Sequence, residues 1–112
     1  MCEQILHVGV PMLGGYLLAM GADQGPLGAT IGAVAGVAHM LFGTLSMTLE
    51  PRQRCIAFAL INAAVGTAAI SAFLAYNIIS DVGLLIAGAY YGLPIAVNLF
   101  AVCCVKPVQI RL

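Results

Sequence analysis

The sequence predicts an all-α fold: a polytopic transmembrane helical bundle, four spans arranged as two antiparallel hairpins. Three observations lead there. Of 112 residues, 62% are hydrophobic and only 7% charged, where a soluble domain carries roughly a quarter charged residues. The charged residues Glu3, Asp23, Glu50, Arg52, Arg54, Asp81, Lys106 and Arg111 all stand at the ends of apolar stretches and never inside one. Those stretches match the roughly 17–25 residues that a helix needs to cross about 30 Å of hydrocarbon.

The spans read as Ile5 to Ala22, Leu27 to Thr48, Ile56 to Ile78 and Val82 to Val105, within a single transmembrane domain covering residues 1–112. The first is the shortest and contains Pro11, so it is the span most open to interruption. Met1-Cys2-Glu3-Gln4 offers no basic n-region, so the first apolar segment is expected to be retained rather than removed as a signal peptide. Between spans one and two, Gly21-Ala22-Asp23-Gln24-Gly25-Pro26 combines turn formers with a proline suited to open a helix. Glu50-Pro51-Arg52-Gln53-Arg54 reads as a compact charged turn, and Asn77 to Gly83, with Ser80-Asp81, as the last connection. Connections this short make sequential helices antiparallel neighbours.

Orientation follows from the excess of Lys and Arg on cytoplasmic segments. Arg52 and Arg54 mark the central turn and Lys106 and Arg111 the tail, while the other two connections carry Asp23 and Asp81. Two spans separate the basic segments, so both fall on one side, and the N- and C-termini are expected to be cytoplasmic. Cys2, Cys55, Cys103 and Cys104 then all lie at that boundary. Reduced structural thiols are the plain reading; S-acylation of Cys103 and Cys104 beside Lys106 is the sharper one.

Helices in lipid associate through small residues and buried hydrogen bonds. Gly28, Gly32 and Gly36 form a doubled G-x-x-x-G on the second span, continued at helical spacing by His39, Gly43 and Ser46. The third span offers Ala59, Asn62, Gly66 and Ala69, and the fourth Gly88 and Gly92. These glycines are read as packing surfaces, within the chain or between copies.

At 1.5 Å rise per residue, His39 lies about 13 Å from the cytoplasmic end of its helix, and Asn62 and Asn98 roughly 10 Å from theirs. Three helices thus place a polar group in one layer, and Tyr91, seven residues from Asn98, shares its face. Polar side chains at this depth are expected to point inward. The layer is either a hydrogen-bonded clasp that sets helix register or a constriction with His39 as a proton-sensitive gate, since imidazole is the side chain that titrates near neutrality. His7, counted from its own helix end, falls about 10 Å shallower than His39, and C-x-x-C-H is absent, which speaks against a bis-histidine haem. Tyr16 and Tyr76 fall toward the opposite boundary, and Pro11 and Pro94 each remove a backbone hydrogen bond from a span.

A faint repeat pairs D-x-G-x-L-x-A at Asp23 and at Asp81, and P-x-Q at Pro51/Gln53 with Pro107/Gln109. It supports a plan of two parallel hairpins.

Equal numbers of acidic and basic residues, without a basic cluster, leave no footprint for nucleic acid. The sequence has no nucleophile motif, phosphate loop, paired carboxylates or metal-ligand spacing, so neither an enzyme nor a cofactor or metal is expected. The expected partners are the bilayer and other membrane helices, including further copies of the chain. The expected role is a helix-packing scaffold or assembly subunit that self-associates, with a small pore or transporter element built on the polar layer as the alternative. The lack of any intramembrane Asp, Glu, Lys or Arg weighs against the pore, because ion pathways usually carry such groups.

Overall fold

The computed structural model describes the backbone of residues 2–104 and the side chains of residues 5–103. Four helices follow one another: α1 (Cys2–Met20), α2 (Gly25–Ser46), α3 (Pro51–Ala75) and α4 (Asp81–Cys104). In hydrocarbon every backbone donor and acceptor must be satisfied within the segment, which makes helix the only open choice for such apolar stretches. Three helices, Gly25–Ser46, Pro51–Ala75 and Asp81–Cys103, are long and apolar enough to cross a membrane, and Ile5–Met20 is apolar but shorter. The protein is thus an all-α membrane-type bundle of two antiparallel hairpins. Lys106, Arg111 and the second P-x-Q lie outside the described residues.

The first three helices end two or three residues earlier than hydropathy suggests, because apolar residues continue into the turns. Asp23 (φ 58°) and Asn77 (φ 55°) adopt the left-handed conformation, which their short polar side chains tolerate better than most. In both turns the same two bonds close the preceding helix. Gln24 N–H donates to Ala19 C=O (3.1 Å) and Asp23 N–H to Met20 C=O (3.0 Å); Ile78 N–H donates to Phe73 C=O (3.1 Å) and Asn77 N–H to Leu74 C=O (3.0 Å). This is the Schellman arrangement, with Asp and Asn in the place usually held by Gly. Structurally, therefore, Asp23 corresponds to Asn77, and not to Asp81 as the D-x-G match suggested: Asp81 opens α4, behind the Ser80 hydroxyl that accepts a bond from Gly83 N–H (3.1 Å).

The charged turn is also relocated. Pro51 is the first residue of α3, a position where its missing N–H costs nothing, so Arg52 and Arg54 belong to the first helical turn and Met47–Glu50 makes the connection. Arg54 Nη2 reaches back to donate to Leu49 C=O (3.0 Å), satisfying an acceptor of the connection.

Pro11 does not break α1, which runs through it without interruption. It lies on the seam with α2. A β-carbon built on Gly36 would meet His7 O at 2.6 Å and Val8 Cα at 3.0 Å; one on Gly32 would collide with Pro11 O, and one on Gly28 with Gly15 O. Residues 7, 11 and 15 of α1 thus lie backbone against backbone on 36, 32 and 28 of α2, in steps of four along both helices. The carbonyl at His7, which Pro11 leaves without its usual intrahelical donor, faces Gly36, where a weak Cα–H contact is available.

The second hairpin closes differently. Tyr91 packs on Gly66, whose hypothetical β-carbon would stand 2.7 Å from Tyr91 Cβ. Gly88 and Gly92, read as packing positions, have nothing within 4 Å of theirs. The hairpins join across α2 and α3 through Ala35, Val65 and Ala69, and around the turns through Ala19, Phe73 and Ile78. The last three seal the end of the bundle that carries both Schellman turns.

Replacing Gly32 with Ala is expected to destabilise the protein by about 1–3 kcal/mol, the usual cost of overpacking, whereas Gly88→Ala should be near neutral; unfolding by steric trapping in lipid gives both values. Asn77→Ala should cost about 1–2 kcal/mol, the penalty of a left-handed alanine, while Asn77→Gly should cost nothing.

Candidate functional site

Three hydroxyls of α2 are satisfied on the spot. Thr30 donates to Pro26 C=O (2.9 Å), Thr44 to Met40 C=O (2.8 Å) and Ser46 to Phe42 C=O (2.9 Å), each one turn back on its own helix. Imidazole and carboxamide groups have more hydrogen-bonding capacity than one such bond uses, so His39, Asn62 and Asn98 are where α2, α3 and α4 can be tied together.

His39 and Asn62 meet directly. Asn62 Nδ2 donates to Phe58 C=O (2.8 Å), which leaves its Oδ1 facing His39 Nε2 at 3.2 Å. An amide oxygen only accepts, so Nε2 carries the proton and donates, and in the neutral ring Nδ1 keeps the lone pair. Asn62 is buried and His39 half-buried. Asn98 does not join this bond: its Nδ2 donates to Pro94 C=O (2.8 Å) within α4. Tyr91 sits at Gly66, with its ring edge-on to Tyr90 at 5.0 Å between centres.

All four residues nevertheless line one cavity of about 680 Å³, open to the outside and bounded by all four helices. His7 lines it too, with Thr44 and Tyr90. The His7 and His39 ring centres are 6.4 Å apart, with planes inclined by 22°. The expected separation of about 10 Å in depth is thereby overturned. Depth counted from each helix's own cytoplasmic end assumes that those ends are level, but the Gly21–Gln24 turn aligns the helices from the other side. Counted from that shared turn, His7 and His39 both lie about 20 Å along their helices at 1.5 Å per residue. The same count places Asn98 about 6 Å closer than Asn62 to the Met47–Glu50 end.

A second cavity, of about 280 Å³, lies nearer the Schellman turns and is almost wholly apolar, lined by residues such as Leu17, Ile70, Phe73 and Ile86. Of the two cavities, the one toward Met47–Glu50 holds the histidines and asparagines. There α1 and α4 stand apart; Leu18 reaches the start of α4 at Gly83 only near the Schellman turns. Cys55 is half-buried near the start of α3, Cys103 is exposed at the end of α4, and only the backbone of Cys2 and Cys104 is described. Gly43 makes an ordinary contact with Phe58, 3.9 Å from its hypothetical β-carbon.

Compared with known proteins, the chain matches no family model, no curated protein and no solved structure.

A double-mutant cycle of His39→Leu and Asn62→Leu is expected to return a coupling of about 0.6 to 2 kcal/mol, the range for interhelical hydrogen bonds in membranes. Coupling indistinguishable from zero in lipid would remove the clasp.

Proposed function

We propose that the chain is a small, non-catalytic assembly subunit of a membrane, which associates with further copies of itself. The polar cavity carries this reading. It is open to the outside and brings the half-buried polar side chains of His39 and Asn98 to the wall of a space in an otherwise apolar surface, where hydrocarbon would be a poor filling. Helices of a second copy laid over the opening would remove them from lipid. The unpartnered Gly88 and Gly92 provide a further surface on which a helix backbone can approach closely.

In this reading the Met47–Glu50 turn, with Arg52 and Arg54 beside it, lies in the cytoplasm together with both chain ends, and Asp23 and Asp81 lie on the opposite side. Cys103 is then a juxtamembrane thiol on the cytoplasmic face, in reach of acylation.

A pore is the second reading, favoured by the cavity that His39, Asn62 and Asn98 share. Against it, the cluster of Ala19, Phe73 and Ile78 closes the other half of the chain, so one copy offers no continuous polar path.

Photobleaching of singly labelled protein in nanodiscs should count two or more copies per assembly. One copy per disc at every protein-to-lipid ratio overturns the proposal. Proteoliposomes should hold ion and proton gradients at any pH between 5 and 8; a leak abolished by His39→Gln would establish the pore instead.

A further inference from the structure

Beyond assembly, we propose that the two cavities form one groove that binds an uncharged lipid with a single hydrocarbon tail and a small hydroxyl- or carbonyl-bearing head. The tail lies toward the Schellman turns and the head toward Met47–Glu50. Val10 and Pro11 of α1 and Tyr90 and Tyr91 of α4 line both cavities, so the two spaces meet at one waist. Along α1 the groove runs from Leu6 to Leu18 and along α4 from Ile86 to Asn98, about 18 Å on either helix at 1.5 Å rise per residue. Ligand sites between bundle helices have this make-up: mostly apolar walls, with a few polar groups that fix orientation.

The two ends ask for different chemistry. At the apolar end, Leu17, Ile70, Phe73 and Ile86 border about 280 Å³ with hardly a polar atom. An apolar cavity of about 150 Å³ takes up one benzene, so this space suits one chain segment rather than two.

At the other end, Asn98 donates one amide hydrogen to Pro94 C=O and keeps a second hydrogen and an oxygen. His39, whose Nε2 serves Asn62, keeps the Nδ1 lone pair, and the hydroxyls of Tyr90 and Tyr91 can both donate and accept. These groups match a hydroxyl or carbonyl oxygen without breaking any existing bond. No Asp, Glu, Lys or Arg lines either cavity, so a charged head would leave water without a partner. A phospholipid keeps its phosphate at the membrane surface and would lay methylene groups along His39 and Asn98, which sit about 10 Å inside the ends of α2 and α4. A small neutral head can follow its tail to that depth.

The lining belongs to one chain, so binding is expected at one copy per disc as at several, and a chain that proves monomeric would still bind. The full chain in phosphatidylcholine nanodiscs is irradiated with dodecanol bearing a diazirine either at the tail end or beside the hydroxyl, and the adducts are mapped by mass spectrometry. The tail probe should mark Leu17, Ile70 and Phe73, and the head probe Tyr90 and Asn98. Excess unlabelled dodecanol should compete these adducts away, whereas dodecane, which has no head, and dodecyl phosphate, which has a charged one, should both compete less well. Asn98→Leu should weaken the competition about 2–10-fold, the worth of one hydrogen bond. Gly14 lines the apolar end, and a β-carbon there meets nothing within 4 Å. Gly14→Leu should therefore fold, as helical circular dichroism reads, yet lose the tail adducts. Adducts scattered over exposed residues such as Leu93 and Val97, and not competed by dodecanol, mean bulk lipid only and overturn the inference. Head and tail adducts in the reverse order, or dodecyl phosphate competing as well as dodecanol, overturn it too. Should Gly14→Leu fail to fold, the positions of the adducts in the parent chain decide.

Discussion

Helices in lipid gain nothing from hiding apolar surface from one another, so what holds a pair together is how closely their backbones can approach. In this protein one seam sets that approach: His7, Pro11 and Gly15 of α1 against Gly36, Gly32 and Gly28 of α2. Any side chain at the three α2 positions would push the helices apart. Because both helices contribute every fourth residue, the seam admits one register, and a slip of one residue would place a β-carbon against a carbonyl. The position of His7 beside His39 follows from that register.

Polar chemistry in the bundle is sorted by what a side chain can satisfy alone. The hydroxyls of Thr30, Thr44 and Ser46 return to their own helix. His39 and Asn62 cannot be satisfied so simply, and their bond ties α2 to α3 across the middle of the molecule. Asn98 resembles Asn62 in sequence but uses its amide on the Pro94 carbonyl one turn back. It contributes to the wall of the cavity rather than to the clasp.

The two hairpins share one way of turning and differ in how they close. Both end their first helix with a left-handed Asp or Asn, and both bury the residue four positions before it, Ala19 and Phe73, in a common cluster. Glycine against backbone closes the first hairpin, and tyrosine on glycine the second. The bulk of Tyr91 takes up the space that a glycine seam would have closed, which leaves Gly88 and Gly92 unpartnered. The outcome is a bundle sealed at the Schellman turns and open between α1 and α4 at the other end.

Hydropathy and charge placement determined the class of this protein, its four helices and their antiparallel order, because the demand that lipid makes on backbone hydrogen bonds acts on each segment alone. The depths of His39 and Asn62 were legible for the same reason: helical rise is a local property. Helix ends were legible only to about two residues, since the bonds that close a Schellman turn leave no mark in hydropathy. Asn98, read into one polar layer with the other two, shares their cavity but not their bond, a choice made by the Pro94 carbonyl. His7 was invisible as a neighbour of His39, because depth counted from separate helix ends carries no information about stagger. Only the tertiary structure supplied that information, through glycine contacts that align α1 and α2 from their shared turn. The sequence by itself thus determined how far along its own helix each residue lies, and the packing of backbone on backbone decided which of them meet.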